Sequence, residues 1–172
     1  MSVHPTDSAA VSIEVTQDAQ AIHHLAHQTW TPTYQDILAP EQIQYMLDRF
    51  YTPASLLEQM EEGQTFLLLK NQGEPAAFAS FSLLYPEEKI YKLNKLYIHP
   101  AQQGKGFGRM LLEEIVRRLQ PLGAMALDLN VHRENPAKNF YQKHGFQIHE
   151  TLDIPLGPYT LNDYIMRKPL ST

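Results

Sequence analysis

Three glycines fall within five residues in Gln103-Gly104-Lys105-Gly106-Phe107-Gly108, between an apolar run ending at Ile98 and an amphipathic stretch beginning near Arg109. Glycines at this spacing let the backbone turn tightly and leave several N–H groups pointing one way, at the positive end of the following helix. Such a loop holds an anion, most often a phosphate. One kind of phosphate loop carries Lys-Ser or Lys-Thr after its last glycine, and here Gly108 is followed by Arg109. A dinucleotide loop, Gly-x-Gly-x-x-Gly, lacks its third glycine, although Asp128 stands at roughly the distance of the ribose-binding acid. A nucleotide-dependent enzyme with a Rossmann-like loop stays as an alternative, opposed by the two or more strands that precede the loop and the single evident crossover.

The elements that must position this loop follow from periodicity. Residues 1–10 are small and polar and read as a flexible leader before a single domain over 11–172. Alternation over 11–15 predicts a short edge strand, and Asp18 caps a helix in which Ile22, Leu25, Ala26 and Trp30 recur before Thr31-Pro32 ends it. Two more helices are expected over 40–50 and 53–62, each opened by a proline, with Gly63 stopping the second. Two strands follow over 65–84, joined by a hairpin turn at Asn71-Gln72-Gly73-Glu74. A strand over 90–98 leads into the loop; the next helix repeats Leu111, Leu112, Ile115, Val116 and Leu119, and a strand over 124–131 completes a right-handed crossover between two parallel strands. A short helix over 136–144, terminated by Gly145, and two strands over 146–154 and 159–166 finish the chain.

Composition bounds the function. A hydrophobic share of 43% with 19% charged residues belongs to a globular protein, and no apolar run approaches the ~20 residues that span a bilayer, so no membrane association is expected. The net charge of -5 argues against a nucleic-acid surface and is compatible with cationic substrates. Without cysteine there is no disulfide framework, and the N-terminus lacks the pattern of a signal peptide, so the expected location is cytoplasmic. His23, His24 and His27 set two rings on one helical face without a third ligand, and no metal is expected.

Gln103-x-x-Gly106-x-Gly108, after a strand ending Leu96-Tyr97-Ile98-His99-Pro100, resembles the acetyl-CoA signature of the GNAT superfamily of N-acetyltransferases. Downstream, the block from Leu127 to Phe146, with Asn135, Ala137, Tyr141 and the Gly145-Phe146 pair, is similar to the family's second conserved block. The N-terminal helices and the final Asp163-Tyr164-Ile165-Met166 strand resemble a bacterial branch associated with polyamine acetylation. The resemblance implies a single-domain α/β fold: a mixed, mostly antiparallel sheet of six or seven strands with one parallel splayed pair, flanked by helices. Residues 11–85 would form the acceptor side, 86–146 the acetyl-CoA-binding core, and 147–172 the last strands. Acetyl would pass from acetyl-CoA to a primary amine, of a small molecule, a polyamine or a peptide, by direct attack. A homodimer is compatible with the resemblance, as is a non-catalytic acyl-CoA sensor or interaction module.

The same resemblance assigns roles. Backbone amides of Gln103, Gly104, Lys105, Gly106, Phe107 and Gly108, aided by Lys105 or Arg109, would hold the pyrophosphate, and the backbone of Leu96 and Ile98 would meet the pantetheine arm like an added strand. Tyr141 would be the general acid and a cofactor contact, since a phenol of pKa ~10 can protonate a thiolate of comparable basicity. Asn135 is a further cofactor contact, one residue closer to the tyrosine than in the commonest form of the block. At the place of the glutamate base of many members stands Lys92, with Asn94 nearby, and Glu87 and Glu88 beside Pro86 read as a solvated turn, so no base is assigned. Trp30, Tyr34 and Asp36 form an aromatic and acidic cluster suited to a cationic acceptor.

Overall fold

The computed structural model describes residues 10–170; the expected leader over 1–10 lies, apart from Ala10, outside the described residues. Strand β1 (Val11–Thr16) is half exposed and sits at one edge of a sheet. Strands β2 (Thr65–Asn71) and β3 (Glu74–Tyr85) are buried on both faces, so their sequences read as continuous apolar runs. Their period of two divides them between two cores: Leu67, Leu69, Ala77 and Ala79 pack on one side of the sheet, and Phe66, Leu68 and Phe78 on the other. The turn between them holds Gln72 at φ 53 and Gly73 at φ 82, the paired positive angles of a two-residue type I′ hairpin.

The second core belongs to helices α1 (Ala19–Tyr34), α2 (Pro40–Phe50) and α3 (Pro53–Glu61). Asp18 caps α1 with its side-chain oxygen and prolines open α2 and α3, as the sequence predicts, and Thr52 caps α3 in the same way. Helix α1 differs from expectation: it runs through Pro32 to Tyr34 instead of stopping at Thr31-Pro32. Proline removes one N–H, yet the Thr33 hydroxyl donates to the Thr29 carbonyl (2.7 Å), the Gln35 N–H donates to Thr31 (2.9 Å), and the Trp30 and Tyr34 rings pack 4.5 Å apart across the turn. These local contacts, together with the packing of Trp30 and Tyr34 on Tyr97, carry the helix past a residue that ordinarily breaks it.

The first core lies under helix α4 (Phe107–Leu119), which begins two residues before the predicted start, and the short helix α5 (Ala137–Lys143). Strands β4 (Ile90–Ile98), β5 (Ala126–His132), β6 (Gln147–Leu156) and β7 (Tyr159–Pro169) complete a seven-stranded sheet in the order β1-β2-β3-β4-β5-β7-β6. All neighbours are antiparallel except β4 and β5, the expected parallel pair.

Candidate active site

The β4–β5 pairing covers only Ile90↔Ala126 to Leu93↔Leu129, after which the strands part. A cause lies on the other edge of β4. Opposite β3, Ser80 pairs with Lys95 and Phe81 with Leu93, so Asn94 is an extra residue, a β-bulge at the point where β5 departs. Bulges bend and over-twist the strand that carries them. Asn94 Nδ2 donates to Ser82 Oγ (2.9 Å), which fixes the bulge.

Beyond Leu93, β4 has one free edge. The His99 N–H donates to the Ala76 carbonyl (2.8 Å), and outward groups alternate along a strand. Tyr97 and Lys95 therefore turn their N–H and C=O toward β3, and Leu96 and Ile98 turn theirs into the gap left by β5. The side chains of Leu96 and Ile98 pack against the α4 core.

The free edge leads to the glycine loop. Gln103 to Gly106 are exposed, and among the described residues the N–H groups of Gly104 to Arg109 have no backbone acceptor. Gly104 and Gly106 both adopt φ +81, and a Cβ at either would meet nothing within 4 Å, so the loop presents bare backbone to open space. Gly108 serves differently: it is buried, and a Cβ there would come within 3.3 Å of Phe140 and 3.4 Å of Ile98, so it allows α4 to approach α5 and β4. Phe107 turns its ring into the core. Lys105 Nζ donates to Gln102 Oε1 (3.1 Å), and Arg109 is exposed beside Glu113. A fan of free N–H groups on a helix N-terminus, continued by a free strand edge, fits a ligand with a phosphate end and an amide-bearing arm.

Tyr141 lies on α5, 8% exposed, its ring between Phe140 and Phe146. Burial, with the neighbouring Tyr34 adding to it, pushes its phenol well above the usual tyrosine value, so it holds its proton at neutral pH. Asn135 is buried, and its Oδ1 accepts the Ala137 N–H (2.9 Å), shaping the entry to α5. Tyr34 and Tyr97 share a hydroxyl–hydroxyl hydrogen bond of 2.9 Å, and burial raises both phenols. The predicted acceptor cluster divides: Trp30 is buried against Tyr34, Tyr51 and Tyr97, whereas Asp36 is exposed. Glu87 and Glu88 occupy an exposed turn. His23 and His27 present Nδ1 to the carbonyls of Tyr51 and His23 at 2.7 and 2.9 Å.

Sequence reasoning missed a polar row. Leu127, Leu129 and Val131 pack toward α4, so Asp128, Asn130 and His132 face the opposite way, beside Lys92 on β4 and Asp163 and Arg167 on β7. The signal was the strict alternation in β5 within an otherwise buried sheet. Asp128, which stood at the distance of a ribose-binding acid, is instead held by both arms of Arg167 (2.7 and 3.0 Å). Lys95, 9% exposed, reaches Gln59 Oε1 at 2.6 Å and Gln64 Oε1 at 3.3 Å. A cavity of about 310 Å³ opens beside the row, walled by Leu38 and Gln42, by His132 and Arg133, and by Thr160 and Asn162 of the β6–β7 hairpin.

Residues 19–146 match the profile of the Acetyltransferase (GNAT) family. The chain is 30% identical over 151 residues to the spermidine N(1)-acetyltransferase of Thermoplasma acidophilum, covering 82% of this chain and 92% of that one. It is 31% identical over 87 residues to the [ribosomal protein bS18]-alanine N-acetyltransferase of Haemophilus influenzae, covering 49% and 58%. Its fold superposes with a TM-score of 0.78 on the crystal structure of the PaiA N-acetyltransferase from Thermoplasma acidophilum in complex with coenzyme A, at 24% identity and covering 92% and 98%.

Proposed function

Because the chain belongs to the acetyltransferase (GNAT) family, enzymes that draw acetyl from acetyl-CoA, we propose that it acetylates the primary amine of a small alkylamine of the polyamine type. The observation that carries this reading is the early end of the β4–β5 pairing at Leu93, which leaves a free strand edge running to a glycine loop of unpaired N–H groups. The amine class is supported by the similarity to a spermidine acetyltransferase over most of both chains and by the net charge of -5. The cysteine-free composition suits the reducing cytoplasm.

In this reading, Gln103 to Gly108 receive the pyrophosphate, with Lys105 and Arg109 at the rim, and Leu96 and Ile98 hydrogen-bond the pantetheine amides. Acetyl-CoA supplies a thioester carbonyl as electrophile. Binding along the strand edge at Leu96 and Ile98 would hold the thioester in one place, which would turn a two-molecule encounter into a positioned attack. Tyr141 gives its proton to the departing thiolate, and because burial raises its phenol above the basicity assumed from the sequence, it is a weaker acid for that step than an exposed tyrosine. Asn135 holds α5, and so Tyr141, in place through its bond to Ala137.

The test is release of the coenzyme A thiol with mass detection of the product, across putrescine, spermidine, an aminoglycoside and an Ala-initiated peptide. Transfer to the polyamines is expected, with Tyr141→Phe lowering kcat by ~100-fold or more while acetyl-CoA affinity stays within about twofold. Acetyl-CoA binding without transfer to any amine would indicate a sensor and overturn the reading. So would stabilisation by NAD and not by acetyl-CoA. Transfer to the peptide alone would replace the polyamine with a protein N-terminus.

A further inference from the structure

We propose that Asp163 is the group that receives the acceptor's ammonium and takes its proton, an inference that rests on acetyl transfer to an alkylamine. Among the described residues, two carboxylates are buried, Asp128 at 3% exposure and Asp163 at 8%. Asp128 has its cation, the bidentate Arg167. Asp163 has none: its side chain accepts only from Asn130 Nδ2, at 3.4 Å, and it forms no salt bridge among the described residues. A buried carboxylate without a cation is costly, and a cationic ligand removes that cost.

The groups facing Asp163 come from every neighbouring element. Lys92 on β4, and His132 and Arg133 at the end of β5, lower its pKa, and Asn130 does so by hydrogen bonding. Tyr34 at the end of α1 feels its charge. None of these meets the carboxylate at bonding distance; Arg133 donates to Asp153, to the Leu152 carbonyl and to the backbone carbonyl of Asp163 itself, at 3.5 Å, and not to its side chain. Burial outweighs them and raises the carboxyl above its ordinary value, which narrows the gap to an ammonium.

Position completes the argument. His132, the cross-strand partner of Asp163, and Asn162, its chain neighbour, both line the 310 Å³ cavity, which an acceptor can enter from solvent. Tyr34, whose phenol the Asp163 charge helps to raise after burial, shares a hydroxyl hydrogen bond with Tyr97 on the free part of β4. Asp163 thus lies next to residues that line the cavity, across β5 from the gap where the donor is expected.

The step balances. The Asp163 carboxylate accepts one proton from R–NH3+, and the freed lone pair forms the C–N bond to the acetyl carbon as the C–S bond breaks. Tyr141 protonates the thiolate and is reprotonated through solvent by the second proton leaving nitrogen, and Asp163 returns its proton to solvent. The sum is ammonium plus thioester giving amide, thiol and one free proton.

The experiment uses the full chain, wild type and Asp163→Asn, with putrescine as acceptor. At pH 7 the variant should lose ~100-fold or more in kcat/KM. The deficit should shrink roughly tenfold per pH unit toward pH 10, as solvent supplies free amine in place of the missing base. Acetyl-CoA affinity should be unchanged, and Tm should be equal or higher, because a buried unpaired charge has been removed. Putrescine binding to the protein saturated with coenzyme A should weaken at least tenfold, an arm that reads out even without turnover. Activity within threefold of wild type at pH 7, a loss constant from pH 7 to pH 10, or unchanged putrescine binding overturns the proposal. If wild-type protein binds putrescine but fails to acetylate it, the functional reading fails and the proton role of Asp163 with it, and weaker binding by Asp163→Asn then supports the cation site alone.

Discussion

Replacing Lys95 by Met should stabilise the protein more at pH 6 than at pH 9. Lys95 is buried against the rings of Tyr51 and Phe66, 5.5 and 5.6 Å away, and its charge meets two glutamine oxygens and, among the described residues, no carboxylate. Burial, with the charge of Lys92 adding to it, pushes its pKa from 10.5 down to about 7. The sign follows from proton counting. Between the folded and unfolded values the unfolded chain holds the extra proton, so stability rises with pH across that window, by about 1.4 kcal/mol per unit at most. Below pH 7 both states are charged and the full burial cost applies; above 10.5 it is gone. From pH 6 to pH 9, about two units of the window are crossed, or ~3 kcal/mol, equivalent to about 8 °C in Tm for a chain of this length. The Lys95→Met variant lacks this gain, and the one acceptor it strands, Gln59 Oε1, is indifferent to pH. Thermal unfolding of both proteins at the two pH values gives the difference directly. A Tm advantage of the variant that is the same at pH 6 and pH 9 would refute the reasoning.

Further substitutions probe the donor side and the polar row. Gly106→Asp places a negative charge on the bare backbone of the loop and should weaken acetyl-CoA at least ~100-fold by calorimetry, since it opposes a phosphate at close range. Gly106→Ala imposes the strain of φ +81 without the charge, about 1 kcal/mol, and should bind nearly normally; equal losses would show that shape and not charge governs the loop. Arg167→Ala leaves Asp128 buried and unpaired and should cost ~3 kcal/mol or more in denaturant unfolding, largely recovered by adding Asp128→Leu. A double variant no more stable than the single would show that the cost comes from lost packing of the arginine.

The glycine loop, the hairpin turn and the helix after the loop were legible because their signals are local. Glycine spacing, the hairpin turn at Gln72-Gly73 and the apolar period of α4 each depend on neighbours in sequence, and each appears where expected. Pro32 misled because the last turn of α1 is held not only by its own residues but also from elsewhere, through Tyr97 on β4. Gly108 was grouped with the loop, but its close approach to Phe140 depends on where α5 docks. The acceptor half was largely illegible. Asp163 is 71 residues from Lys92 in the numbering, and only the strand order β4-β5-β7 brings their charges together. The separation of Trp30 from Asp36 has the same origin: one faces a core built by distant strands, and the other follows the end of the helix.

A single extra residue links the two halves. Lys92 faces the polar row, and Leu93 packs toward α4. Strict alternation would then send Lys95 toward α4, and Leu96 and Ile98 toward α1. The bulge at Asn94 reverses this order: Leu96 and Ile98 pack toward α4, whereas Lys95 and Tyr97 meet α3 and α1. The same bulge lies where β5 leaves β4, and so opens the edge on which the donor would lie. Without it Tyr97 would not reach Tyr34, and the free edge would lose its connection to the groups around Asp163. The sequence around Asn94 shows no glycine or proline to announce a bulge. Its signature is instead a slip in the pattern, in which two consecutive polar residues, Asn94 and Lys95, stand where alternation requires one.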